Sequence, residues 1–291
     1  MQPKYEEKTF ESYFNTELDR RSSIYFPFGQ VQEGGIGADA AGFSRSRWLW
    51  GRLGYNYFIR MPFVGADLRE IADEMERHLG QEIKNIPSIK SNLLFQYKRP
   101  ELITSKLGAE WPHWGQRYFR YNIYQEQHAL LAHLATKFGT KALVLYASPA
   151  LEDINDLVFA KMRGDLIENT NFRRASALTG HHRNSYIRAG TYSYACSDPE
   201  SIENFDLLAL LEQQRPFEAE STGTSVLSFA DGVRAAVTES ATFAIAYQTL
   251  MQPYVEARLE METYPYFLSI ASMFAVRDIT GIQWVLATER E

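Results

Sequence analysis

The spacing of apolar and polar positions changes period several times along the chain, and each change predicts an element. Between Tyr5 and Arg20, Phe10, Phe14 and Leu18 recur at helical spacing, with Glu6, Glu7 and Glu11 near the start and Arg20 and Arg21 at the end. Acids first and bases last suit the helix dipole, so a helix is expected there. SSIYFPFGQV reads as extended, and EGGIGADAAGF as a glycine-rich turn leading into a short strand that carries Asp39. GADLREIADEMERHLGQ predicts a helix. NLLFQYKRP predicts a strand whose period of two sets Phe95 and Tyr97 on one face and Gln96 and Lys98 on the other. ELITSKLGAEWPHWGQRYF follows as a loop. YQEQHALLAHLATKFGT is then a helix closed by Gly139, and KALVLYASPAL a buried strand stopped by Pro149.

Past that proline, EDINDLVFAKMRGDLI has helical spacing and NSYIRAGTYSYACS alternates like a strand pair around Gly190. IENFDLLALLEQQ and roughly 226–261 read as helices, LSIASMFAVRD as helix or strand, and IQWVLATER as a strand. The order predicts an α/β fold with a mixed central sheet flanked by helices over 1–150, interrupted by an insertion at about 44–90. Residues 151–291 are expected to pack on it as a mainly helical elaboration.

Composition narrows what such a fold does. With 45% apolar and 14% aromatic residues in 291, the chain has ample material for a core and is not a disordered segment. A net charge of -6 means that any grip on a polyanion needs a local basic patch. The one cysteine, Cys196, excludes an internal disulfide and a thiolate zinc cluster, and fits a reducing cytoplasm. No stretch approaches the roughly 18 apolar residues that span a bilayer, and the amino-terminal residues lack the apolar core of a signal peptide. A cytoplasmic protein without a membrane partner is the expectation.

An amide and an ammonium two residues apart on one strand face are common on wet sheets, and alone carry little information. Here they follow a helix bearing Glu11 and a glycine-rich turn bearing Asp39, and precede a helix and a strand. That order resembles the restriction-endonuclease-like (PD-(D/E)xK) nuclease superfamily over roughly residues 5–149, in the QxK form found in Mrr-like and defence-associated branches. The resemblance implies a restriction-endonuclease-like core in which Asp39, Gln96, the backbone carbonyl of Tyr97 and Glu11 hold Mg2+, with Mn2+ as a substitute, while Lys98 stabilises charge at a scissile phosphate. Hard divalent cations take oxygen ligands, lower the pKa of an attacking water and polarise the phosphoryl oxygen. An amide where a carboxylate is commoner removes one negative charge from that set. Glu6, Glu7 and Glu17 share the first helix, Glu7 lies one turn from Glu11, and Glu33 is a spare acid.

For substrate grip, Arg45, Arg47, Arg52 and Arg60 interleave with Trp48, Trp50, Tyr55 and Tyr57, a mixture suited to phosphates and base stacking and equally to a small satellite core with arginines reaching outwards. In TGHHRNSYIR, His181 and His182 point to opposite faces of any strand and have no third ligand at zinc spacing. His182 and Arg183 are therefore carried as phosphate contacts, and Arg173 with Arg174 as a second basic cluster. GGIGAD lacks the spacing of a phosphate-binding loop, and neither a GxSxG elbow nor a GxGxxG turn is present. The expected function is Mg2+-dependent endonucleolytic cleavage of DNA, with RNA left open, acting as an antiviral or anti-plasmid defence effector alone, as a homodimer or with a partner protein. The alternatives are a catalytically inactive nucleic-acid- or protein-binding subunit of a defence complex and an unrelated α/β structural protein of a mobile element.

Overall fold

The computed structural model describes residues 3–21, 24–25, 68–189, 193–196, 200–202, 205–217 and 221–289. The protein is mixed α/β, with two five-stranded sheets and nine α-helices among the described residues. It forms two compact units, and both are discontinuous in sequence. The first comprises Met1–Tyr25, Ser88–Phe217 and Gly281–Glu291, and the second Phe26–Pro87 and Glu218–Thr280. The division therefore does not fall near residue 150, because Ser88–Phe217 runs unbroken within the first unit, to which the last strand of the chain also returns.

In that unit, helix α1 (Glu7–Arg21) lies against sheet A, whose strands run in the order β1 (Ile24–Tyr25), β10 (Ile282–Thr288), β2 (Ile89–Tyr97), β5 (Ala142–Pro149) and β6 (Thr170–Arg174). Phe14 meets Phe95 and Phe172 at ring-centroid distances of 5.6 and 5.7 Å, and Phe10 meets Tyr97 edge-on at 5.8 Å. The helical stripe of the sequence thus covers one face of β2 and β6. Strand β2 is antiparallel to β10 and parallel to β5, with Gln96 opposite Tyr146. The connection from β2 to β5 contains helix α4 (Gln125–Phe138) and an antiparallel hairpin, β3 (Glu101–Ile103) with β4 (Tyr118–Asn122), around the one-turn helix α3 (Trp111–Trp114).

The hairpin occupies the stretch expected to be a loop, and the reason is length: three residues are too few to display a period. It begins sheet B, ordered β3, β4, β7 (Arg183–Tyr186), β8 (Ser193–Ala195), β9 (Glu200–Ile202) and antiparallel throughout. Residues 151–291, expected to be mainly helical, hold more helix than strand but also contribute five strands, β6 to β10, and two of their helices, α5 (Ile154–Arg163) and α6 (Leu207–Gln213), belong to this unit.

Where sheet B covers the second face of sheet A, the contact is polar and aromatic. Tyr121 stacks on Tyr146 at 5.9 Å, Tyr186 Oη donates to Ser148 Oγ at 2.8 Å, and the Arg173 guanidinium donates to Ser193 Oγ. His128 of α4 joins this layer through Nδ1, 3.1 Å from Tyr146 Oη, and its Nε2 is buried with no hydrogen-bond partner. Burial, with His181 nearby, lowers the His128 pKa from its ordinary 6.5. The unfolded chain therefore binds this proton more readily than the folded one, so the stability it contributes is full above the unfolded pKa and is lost as pH falls below it. Urea melts between pH 7 and 5 should show a shallower acid loss for His128→Gln than for the wild type.

The second unit contains α2 (Leu68–Lys84), α7 (Thr222–Thr238), α8 (Ala244–Glu256) and α9 (Pro265–Thr280). Glu76 of α2 accepts the Tyr266 and Phe267 amides at 3.2 and 2.8 Å, closing the exposed donors of the first turn of α9. Among the described residues, no helix is long and apolar enough to cross a membrane.

Candidate functional site

The strand period places Gln96 and Lys98 together. Phe95 and Tyr97 face α1, so Gln96 and Lys98 face the side lined by Tyr146 and α4. Lys98 lies one residue beyond β2, yet its amide donates to Ala147 O and its carbonyl accepts from Ser148 Oγ, both at 2.9 Å, so the extended geometry persists through it. Its Nζ donates to Gln127 Oε1 at 2.8 Å and stands 4.9 Å from the Tyr124 ring centroid and 5.8 Å from that of Tyr146. The residue is only 7% exposed. Burial lowers the ammonium pKa to about 8, with the Glu7 carboxylate opposing the fall.

Gln96 is 3% exposed; its Nε2 donates to Tyr97 O at 3.3 Å, while Oε1 is buried without a hydrogen-bond partner. Exchanging amide oxygen and nitrogen would set two oxygens against each other, so the carbonyl end is the orphan. Gly281, at φ +72°, holds the first turn before β10, and a Cβ there would stand 3.3 Å from Gln96 Nε2. Gly281→Ala should cost about 1–3 kcal/mol, mainly from the left-handed backbone, read as a lower urea midpoint.

The α1 acids take different places. Glu7 Oε2 accepts the Arg99 amide at 3.0 Å, reaching round the end of β2 to the neighbourhood of Lys98. Burial pushes the Glu7 pKa up, against the pull of the Arg99 amide and Lys98, and Glu11 adds to the rise. Glu11 is buried one turn along. Glu17 is buried too, but accepts the Leu166 and Ile167 amides at 2.8 and 2.9 Å and serves the fold. Glu6 is paired with Arg99 at 3.3 Å.

Of the remaining expected contacts, Arg183 is engaged by the buried Glu110 carboxylate through Nη1. His182 is exposed, and its carbonyl accepts the Ile123 amide at 2.8 Å, next to Tyr124. His181 is buried with Nε2 3.5 Å from Glu200 Oε2. Arg173 is 1% exposed, which removes it from any outer basic cluster. Asp39, the Gly-rich turn, Glu33, Arg45, Arg47, Arg52 and Arg60 lie outside the described residues.

Among the described residues, no group of three or more His, Cys, Asp and Glu side chains could hold a metal ion. Gln96 Oε1 is a suitable hard-oxygen donor by chemistry and by its lack of a partner, but the described donors do not by themselves make a cation site. Sequence reasoning missed Gln127, Tyr124 and Gly281. A polar residue in the first turn of α4 was the only signal for Gln127, and nothing local connects Gly281 to a strand almost two hundred residues earlier. No protein-family model, no curated protein and no solved structure matches the chain.

Proposed function

We propose that the chain is a Mg2+-dependent nuclease with a restriction-endonuclease-like core, cleaving phosphodiester bonds in DNA. The observation that carries this reading is the pairing, at the end of one strand, of an orphaned amide oxygen on Gln96 with the desolvated ammonium of Lys98. Strand β2 runs parallel to β5 with α4 between them in sequence, and α1 backs the sheet on the other side, an arrangement that accommodates such a core. A bound Mg2+ would supply a polarised phosphoryl oxygen and a more acidic water. Asp39 and Gln96 Oε1, with Glu11 or Glu7 and the Tyr97 carbonyl, are the proposed oxygen set. Lys98 holds a positive charge where negative charge builds on the phosphoryl oxygens, and its low-dielectric setting strengthens that interaction. Gln127 fixes the ammonium and Glu7 balances its charge. Action as a prokaryotic defence effector is the biological setting that the resemblance suggests.

The test is incubation of the purified protein with plasmid, linear duplex, single-stranded DNA and RNA in Mg2+, Mn2+ or EDTA. Cutting in either metal and none in EDTA supports the reading; no cutting of any substrate argues against it. A second reading, a non-cleaving nucleic-acid-binding subunit, is favoured by the depth of Lys98 beneath Tyr124 and the amide at position 96. It requires binding without metal-dependent scission in the same samples.

A further inference from the structure

Most large apolar side chains of the described residues are buried, and Tyr124 is not: it is 66% exposed. Its main chain is nevertheless held on both sides. The Ile123 amide donates to His182 O at 2.8 Å, and the Tyr124 carbonyl accepts the His128 amide at 2.8 Å as α4 begins. The residue is extended, at φ -80° and ψ 118°, in the N-cap position of that helix, and its side chain makes no capping hydrogen bond. A fixed Cα thus presents a ring to solvent while the ring covers an ammonium, with Lys98 Nζ 4.9 Å from its centroid. Among the exposed large apolar side chains described, it is the one with a contact to the Gln96 and Lys98 face.

We propose that Tyr124 is the stacking platform for the nucleobase next to the phosphate that Lys98 receives, so that the preferred substrate has an unpaired base at the cut. This rests on the nuclease reading and deepens it. A phosphate and its base are neighbours in one nucleotide, as ammonium and ring are neighbours here. When substrate arrives, the ammonium exchanges the ring face for phosphate oxygens and the ring exchanges the ammonium for a base. Cation–π contact at an exposed site contributes about 0.5–1 kcal/mol, and base–aromatic stacking about 1–3 kcal/mol, so the exchange favours the bound state before the phosphate contact is counted. A base must leave its helical stack to offer a face to the ring, which selects single-stranded DNA, frayed ends or flaps over intact duplex. Every base has such a face, so little base preference is expected at this position.

The experiment places one abasic residue at successive positions of a single-stranded DNA oligonucleotide. Binding is measured by fluorescence anisotropy in EDTA, and cleavage in Mg2+, for wild type, Tyr124→Phe and Tyr124→Ala. For wild type, one abasic position should weaken binding roughly 5- to 150-fold, the equivalent of one lost stack. Tyr124→Phe should behave the same. Tyr124→Ala should show that loss on the intact oligonucleotide, in KM rather than kcat, with no further loss when the abasic residue reaches that position, because both changes delete one contact. Additive losses, a loss confined to kcat, or binding by Tyr124→Ala equal to wild type overturns the platform and leaves the nuclease reading standing. Wild type that neither binds nor cuts the single-stranded oligonucleotide also overturns the platform, and the nuclease reading itself falls only if plasmid and linear duplex are left uncut as well.

Discussion

Replacing Lys98 with Met should lower cleavage by about 10²–10³-fold on the nuclease reading while leaving the protein as stable as the wild type or more so. The two halves of this outcome have one cause. An ammonium that is 7% exposed, with its pKa lowered to about 8 by burial, is held in its charged form against the preference of its surroundings. Methionine fills similar volume without that cost, although Gln127 Oε1 loses the donor now at 2.8 Å. Loss of one preorganised donor at a developing oxyanion typically lowers kcat by about 10²–10³-fold. On the proposed reading, in which Asp39 is the central carboxylate, Asp39→Ala should lower it by at least as much. Paired assays of cutting and thermal melting read both halves. A Lys98→Met protein that cuts like wild type removes the catalytic role, and one that melts far lower makes Lys98 a structural residue.

How far the sequence alone reaches follows from which interactions are local. The facing of Gln96 and Lys98 was legible because a period of two needs only neighbouring residues, and the Phe10, Phe14 and Leu18 stripe marked the buried side of α1 for the same reason. The helices 68–84 and 125–138 carried clear periodicity and formed as expected. Register was not legible. Nothing near Ile282 announces that its strand lies between β1 and β2, which returns the end of the chain to the first unit. Nor does the first helix reveal which glutamate reaches Lys98: Glu7 and Glu11 share a face, and the choice depends on how far α1 projects past the end of β2. Nor was the partner of Arg183 legible: the side chain expected to meet phosphate pairs with Glu110, 73 residues away in sequence.

That pairing should dominate the stability of the β3–β4 hairpin. Glu110 is 3% exposed, and its carboxylate accepts from Tyr118 Oη at 2.7 Å and from Arg183 Nη1, with Arg120 Nη1 3.5 Å away. Tyr118 Oη in turn accepts the Glu110 amide at 3.2 Å, and Arg120 also pairs with Glu101 at 3.0 Å. Burial alone would raise the Glu110 pKa, but the Tyr118 and Arg183 hydrogen bonds and the charges of Arg183 and Arg120 outweigh it and hold it below the ordinary 4.5. Glu110→Ala removes the anion from between two guanidinium groups and leaves the Tyr118 hydroxyl without its acceptor. Breaking a buried pair costs about 3–5 kcal/mol; with the two arginine side chains 22% and 24% exposed, solvent returns part of that, and about 2–4 kcal/mol is expected. Glu110→Gln keeps the shape and one acceptor and should fall between. Because the folded pKa is depressed, the stabilisation is present above the unfolded pKa near 4.5 and is lost as pH falls through the folded value. Urea melts at pH 7 should separate wild type from Glu110→Ala widely, and melts at progressively lower pH should bring them together. A gap that does not narrow in acid would mean that the carboxylate acts through packing, not charge.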